Sequence, residues 1–275
     1  PWIGTGPDSY SWQVWLLERP GAMGYTMHSH NLFTETAVSL GLPGLLLLTG
    51  LIIACARCVF ANGLQRESWL VVVICLIIST HAMLELPLWN LHFLLPLGLL
   101  IGISVNDRNG YELPVLRPVV LVLIVLMSVL IWHTAKSYRD LASLWLERQS
   151  YSQILQRYMQ AARNPLLAPL AESSIADMQL LSKDKVEAKI ALYRKVTRYR
   201  PYPRSVTRQA TLLGFAGRQE EGQAMMRQML RLYPESLNYF RRGFCHHPLI
   251  SGDARRMLQD WTQSGAIQAK LPTCP

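Results

Sequence analysis

Two short stretches of this 275-residue chain hold residue types suited to moving protons. The first is His28-Ser29-His30-Asn31, with Glu35 five residues after His30. The second holds His81 and Glu85, four residues apart. Histidine, with an ordinary pKa of about 6.5, can accept a proton near neutral pH, and a carboxylate on one ring nitrogen leaves the other free to act. On a helix, residues four apart share a face, so the spacing pairs His81 with Glu85. A His–Glu pair that only stabilises packing fits the same spacing. His-x-His with a nearby Glu is also compatible with zinc, but spacing places no third or fourth ligand. Cys245-His246-His247 with Cys274 is a second group of that kind, and a disulfide or plain surface residues fit it as well. No metal is expected at either.

These residues sit beside long uncharged windows. Residues 36–56, 68–84, 86–106 and 118–135 carry no Asp, Glu, Lys or Arg. A helix needs roughly 20 mostly apolar residues to cross a hydrocarbon core. The run Val119–Ile131 is apolar all round and has no polar face to show to water. The windows predict four spans, at about 38–58, 69–85, 89–105 and 117–135. Ionisable groups at the ends of spans are costly there, which makes the two histidine stretches functional candidates.

The expected fold is all-α, a polytopic membrane helix bundle followed by an extramembrane helical, tetratricopeptide-like domain. Residues 1–37 form a loop carrying the His-Asn pair, 38–135 the spans and 136–275 the helical domain. The loop is broken by Pro and Gly, and its Trp2, Tyr10, Trp12, Trp15 and Tyr25 suit a membrane interface. Gly41, Pro43 and Gly44 predict a break and close packing at the mouth of the first span. Pro1 is not an initiator Met and no basic segment precedes an apolar run, so a fragment with further spans upstream is expected.

Basic residues orient the chain. Arg57 and Arg66 flank the link after the first span, Arg108 and Arg117 flank the third link, and the second link has none. The positive-inside rule puts the first and third links in the cytoplasm, and the loop and tail outside. The tail from residue 136 is strongly basic, with 22 Lys+Arg against 11 Asp+Glu. Anionic lipid, a phosphate-bearing substrate or an acidic partner suits it. Nucleic acid is not expected, because no zinc-finger spacing or RNA-recognition signature accompanies the charge. Cys55 and Cys58 form a C-x-x-C inside an apolar run with no second pair, which reads as small apolar residues. In the tail, 136–162 keeps helical spacing, and helices are expected over 184–200, 204–216 and 219–233. Pro201 and Pro234 end similar segments 33 positions apart, near a tetratricopeptide period. Ordinary helical hairpins fit equally.

His30-Asn31, nine residues, Gly41, two residues and Gly44 resemble the His-[Asn/Ser/Gln]-x9-Gly-x-x-Gly pattern of bacterial O-antigen ligases and their relatives. Pro1-Trp2-Ile3-Gly4-Thr5-Gly6-Pro7 is similar to the glycine-rich segment that often precedes that histidine. The second stretch, His81 through Glu85-Leu86-Pro87-Leu88-Trp89 to Phe93, Leu94 and Gly98, resembles the C-terminal module of pilin-type protein O-oligosaccharyltransferases. Leu45 departs from the first pattern. Leu86 stands where many relatives have Tyr, which puts that position's role in doubt here.

The resemblance implies transfer of an oligosaccharide outside the cytoplasmic membrane. The donor would be a polyprenyl diphosphate, usually undecaprenyl, and the acceptor a Ser or Thr hydroxyl of a pilin-like protein or a sugar hydroxyl of lipid A–core. No cofactor is expected. Diphosphate is a good leaving group, whereas a hydroxyl is a poor nucleophile that benefits from a base. The expected site has His30 as base or as donor to the diphosphate, with Glu35, His81 and Glu85 completing the catalytic group. Asn31, His28, Arg19 and Trp89 would bind substrate. O-antigen polymerisation is a related alternative, and a membrane-anchored helical scaffold is a non-enzymatic one.

Overall fold

The computed structural model describes residues 2–17, 28–60, 66–85, 91–104, 116–142, 150–234 and 249–265. Among them are eleven α-helices and no strand. The chain divides into two compact units. The first comprises Pro1–Tyr10 and Thr26–Val115, the second Ser11–Tyr25 and Leu116–Pro275.

The first unit holds α2 (Leu32–Phe60), α3 (Arg66–Ala82) and α4 (Leu91–Ser104). The three pack on one another. α2 starts where Asn31 caps it. The Asn31 Oδ1 accepts from the Phe33 and Thr34 N–H groups, at 3.0 and 3.1 Å, which satisfies two donors that a helix start leaves open. The helix therefore begins six residues before the expected span. Leu32–Arg57 is long and apolar enough to cross a membrane, and among the described residues no other helix meets that test. Trp69–Ala82 is a shorter apolar helix.

α2 is broken at Gly41, whose φ of 68° and ψ of −157° are not helical. The break frees two carbonyls. Pro43 has no N–H to give Ser39, and the Leu42 N–H donates to the Trp2 carbonyl at 3.3 Å instead of continuing the helix. The glycine-rich segment supplies the missing donors. Thr5 N–H binds the Val38 carbonyl at 2.8 Å and Gly6 N–H the Ser39 carbonyl at 3.0 Å. Gly4 lies so close to the Ser39 carbonyl that no side chain fits there. The expected break at the mouth of the first span is thus a docking site for residues 2–6.

The second unit contains α1 (Tyr10–Leu16), apart from its first residue, α5 (Leu116–Ala142), α6 (Tyr151–Ala161) and α7 (Ala168–Met178). It continues with α8 (Val186–Tyr199), α9 (Pro203–Phe215), α10 (Gln219–Leu232) and α11 (Gly252–Gln263). From α5 to α10 each helix packs on the next, and α11 returns to α9. Such neighbour-on-neighbour stacking is what a row of helical hairpins produces. The helices at 184–200, 204–216 and 219–233 appear within a few residues of expectation. The helical spacing over 136–162 belongs to two described helices, α5 to Ala142 and α6 from Tyr151, the latter behind a Ser150–Gln153 capping box. On α5, the apolar side chains Leu121, Val122 and Ile124 through Leu126, and those from Val129 to Trp132, are all exposed.

α9 is the centre of this unit, with every residue from Ser205 to Gly214 buried. One of these is Arg208. Its Nη1 donates to the Tyr193 hydroxyl at 3.0 Å and to the carbonyls of Asp177 (3.2 Å) and Ala176 (3.4 Å). The Tyr193 hydroxyl donates to the Ala176 carbonyl at 2.7 Å. Burial pushes the Tyr193 pKa up, against the opposing pull of Arg208, so the phenol stays a donor. The guanidinium binds the C-terminal turn of α7 to α8 and α9. Arg208→Ala strands these acceptors and leaves a cavity. It is expected to destabilise the unit by about 3 kcal/mol, measurable as a lowered melting temperature in detergent.

The first loop departs from expectation. α1 is a helix, and Trp15 is 3% exposed in the core of the second unit, with Trp12 packed against that core. These two aromatics serve helix packing and are not free to sit at a membrane interface.

Candidate functional site

The structure places His28, His30, Asn31, Glu35 and Glu85 within one small neighbourhood of the first unit. Three local features build it. Asn31 is committed to capping α2, which fixes the residue that follows His30 in the chain. His30 has a φ of 54°, the left-handed region that few residues other than glycine and asparagine enter. The Ser29 N–H donates to the Glu35 Oε2 at 2.9 Å, and the Ser29 hydroxyl to the Asn31 carbonyl at 2.9 Å. Glu35 is 2% exposed. Its role is to fold the His28–His30 turn back onto the first turn of α2. Its Oε2 does so by accepting from the backbone of that turn.

The carboxylate that meets a histidine is Glu85. His30 Nδ1 and Glu85 Oε2 lie 3.3 Å apart, with the two side chains 47% and 54% exposed. The rings of His28 and His30 are tilted against each other, 4.1 Å between centroids. The expected His81–Glu85 pair gives way to this arrangement for a local reason. α3 ends at Ala82, and Met83 and Leu84 form a turn in which the Leu84 and Glu85 N–H groups both bind the His81 carbonyl. The Glu85 carboxylate turns to His30 instead, and the His81 ring packs edge-on to Phe93 at 5.7 Å. Met83 is a member of the neighbourhood that sequence reading missed. Asn31 Nδ2 makes long contacts to its carbonyl (3.5 Å) and sulfur (3.7 Å), joining the start of α2 to the turn after α3.

Two expected substrate contacts, Arg19 and Trp89, lie outside the described residues, as do Leu86, Cys245 and Cys274. Cys55 is a free thiol.

The arrangement offers two kinds of chemistry. With Nδ1 turned to a carboxylate, His30 keeps Nε2 available as a base. One ligand atom each from His28, His30 and Glu85 also lie within 4.8 Å of one another. The fold thus supplies the third metal-ligand candidate that spacing alone did not place.

No curated protein and no solved structure matches this chain. A family model does match, over residues 69–242, from within α3 to just beyond α10. It takes in His81 and Glu85 and begins downstream of His28–Glu35. With well over half of the 275 residues covered, the chain belongs to the family described as virulence factor membrane-bound polymerase, C-terminal.

Proposed function

We propose that this chain carries the base of a bacterial inner-membrane glycan transferase. It would move an oligosaccharide from a polyprenyl diphosphate to a Ser or Thr hydroxyl of a periplasmic, pilin-like protein. The observation that carries the reading is the pairing of His30 Nδ1 with Glu85 Oε2. Two separate segments, each next to an apolar helix, make that pair in a family of membrane-bound polymerases. In the step, the acceptor hydroxyl gives its proton to His30 Nε2 as its oxygen attacks the anomeric carbon. The anomeric C–O bond breaks and the diphosphate leaves with the electron pair. Single displacement of this kind inverts the anomeric centre.

The reading needs the His loop and the helical unit on one face of the membrane. The packing of α1 supports this. Trp15 lies in the same buried cluster as Tyr193 and Met226, so α1 and the tail share a compartment. A chain that leaves α1 and returns to α6 on the same side crosses an even number of times. Spans at α2, α3, α4 and α5 satisfy that count. The exposed apolar residues of α5 match a lipid surround. With the basic links inside, loop and tail face the periplasm.

The deciding experiment uses the full-length protein in cells that make one defined lipid-linked glycan. A periplasmic acceptor protein and lipid A–core are offered together, and the glycan is followed by blotting. Label on the protein is the expected result. Label on lipid A–core instead assigns a ligase. The family's description favours a second reading, in which the acceptor is another lipid-linked glycan. A ladder of lengthened glycans with neither acceptor labelled would establish it and end the first proposal.

Metal chemistry separates from base chemistry at the same residues. If His30 acts as a base, stripping divalent ions with a chelator leaves the transfer rate unchanged. Loss of transfer on chelation, restored by zinc, would instead make His28, His30 and Glu85 ligands.

A further inference from the structure

We infer that the turn between α6 and α7 rests on the membrane surface from which α5 emerges, with Met159, Leu166 and Leu170 set into the lipid interface. The inference rests on the reading of α5 as a span.

The end of α5 carries the marks of a boundary between lipid and water. Its apolar run stops at Ile131. Trp132 and Tyr138 follow, 75% and 57% exposed, with Lys136 and Arg139 exposed beside them. Aromatic rings and basic side chains of this kind collect at the headgroup level. Leu141 lies three residues past Tyr138, about 5 Å further along the helix axis. It is buried in one cluster with Ala161, Leu167 and Ala171, against which Tyr158 and Ala162 pack. These residues flank the α6–α7 turn, so the last turn of α5 holds that turn close to headgroup depth.

The turn is built to present side chains outward. Asn164 is buried. Its Oδ1 accepts from the Leu166 N–H at 3.0 Å, and its carbonyl accepts from the Leu167 and Ala168 N–H groups at 3.0 and 2.8 Å. Pro165 fixes the backbone between them. Leu167 is thereby turned into the cluster, while Leu166 is 58% exposed. Met159, in the last turn of α6, and Leu170, in the first turn of α7, are exposed as well. One exposed leucine is ordinary, but three apolar side chains around one ordered turn mark a contact surface. Charge favours lipid over a protein partner. From Ser150 to Ala171 there is no Asp or Glu, and Arg163 is exposed within the turn. An apolar tip that carries a cation and no anion suits a layer of lipid phosphates over acyl chains. A contact there gives the helical unit a second hold on the bilayer beside α5.

The test uses the full-length protein in vesicles of radiolabelled phosphatidylethanolamine and phosphatidylglycerol. The photoreactive amino acid p-benzoylphenylalanine is placed in turn at Leu126, Leu166 and Ala224. Leu126 is exposed on α5 within the proposed span, and Ala224 is exposed on α10, one helical turn from Glu220 and Glu221. After illumination, lipid label is expected on the protein with the probe at Leu126 and at Leu166, several times that at Ala224. Label at Leu126 with none at Leu166 overturns the inference and leaves the span in place. Equal label at Ala224 and Leu166 also overturns it, since the contact would not belong to the turn. So does a cross-link from Leu166 to a second protein chain in place of lipid. No label at Leu126 removes the span and the inference with it.

Discussion

His30→Ala is expected to slow glycan transfer by about 10²–10⁴-fold, the usual contribution of a positioned general base. The loss should fall on kcat, with the KM for the lipid-linked donor little changed, because the proton moves only as the acceptor oxygen attacks. Glu85→Gln is the informative companion. Gln keeps the shape but removes the charge that faces Nδ1 across 3.3 Å. An ion pair half open to solvent contributes about 0.2–1 kcal/mol, so a loss of about two- to fivefold is expected. The two should not add. Once His30 is gone, Glu85 has no ring to orient, and the double variant should be no slower than His30→Ala alone. Initial rates on purified donor and acceptor, measured for the four proteins, settle the matter. Additive losses would mean that Glu85 acts on substrate directly, and a fully active His30→Ala would remove His30 from the mechanism.

Much of the neighbourhood can be read from sequence because its parts obey local rules. Asn31 stands immediately before a long apolar run, which is where a helix cap belongs. Gly41 and Pro43 cannot both continue a helix, and their break is where the structure puts it. The capping box at Ser150 and Gln153 is also local, and it marks a helix start inside the helical spacing read over 136–162. What stayed hidden depends on distance along the chain. Ser11 meets Tyr199, and Trp15 meets Gln228, across roughly two hundred residues. No propensity identifies such a pair, and tryptophan in a Gly-Pro segment suits an interface as well as a core. Which histidine Glu85 meets stays open for a subtler reason. The four-residue rule joins His81 to Glu85 only while α3 continues, and α3 stops at Ala82. A helix end three residues earlier than expected thus moves one carboxylate from one histidine to another.

Gly41→Ala tests whether the α2 break is part of the working structure. An alanine Cβ at this position would stand 2.6 Å from the Gly4 nitrogen, 2.7 Å from the Trp2 oxygen and 2.8 Å from the Ile3 carbonyl carbon. All three are backbone atoms and cannot swing aside. The φ of 68° adds about 1–2 kcal/mol of strain for any residue with a Cβ. Residues 2–6 must then leave, which strands the Val38 and Ser39 carbonyls. An unpaired carbonyl away from water costs several kcal/mol. The expected outcome is a large fall in melting temperature together with loss of transfer, since α2 has lost the segment that closes its break. Gly4→Ala removes the same contact from the other side, so the double variant should be little worse than either single one. Gly50 supplies the control. It lies in the same helix with open space around it, and Gly50→Ala should be neutral or slightly stabilising. If Gly41→Ala behaved like Gly50→Ala, residues 2–6 would not be docked on α2 in the membrane. The freed carbonyls would then have another partner.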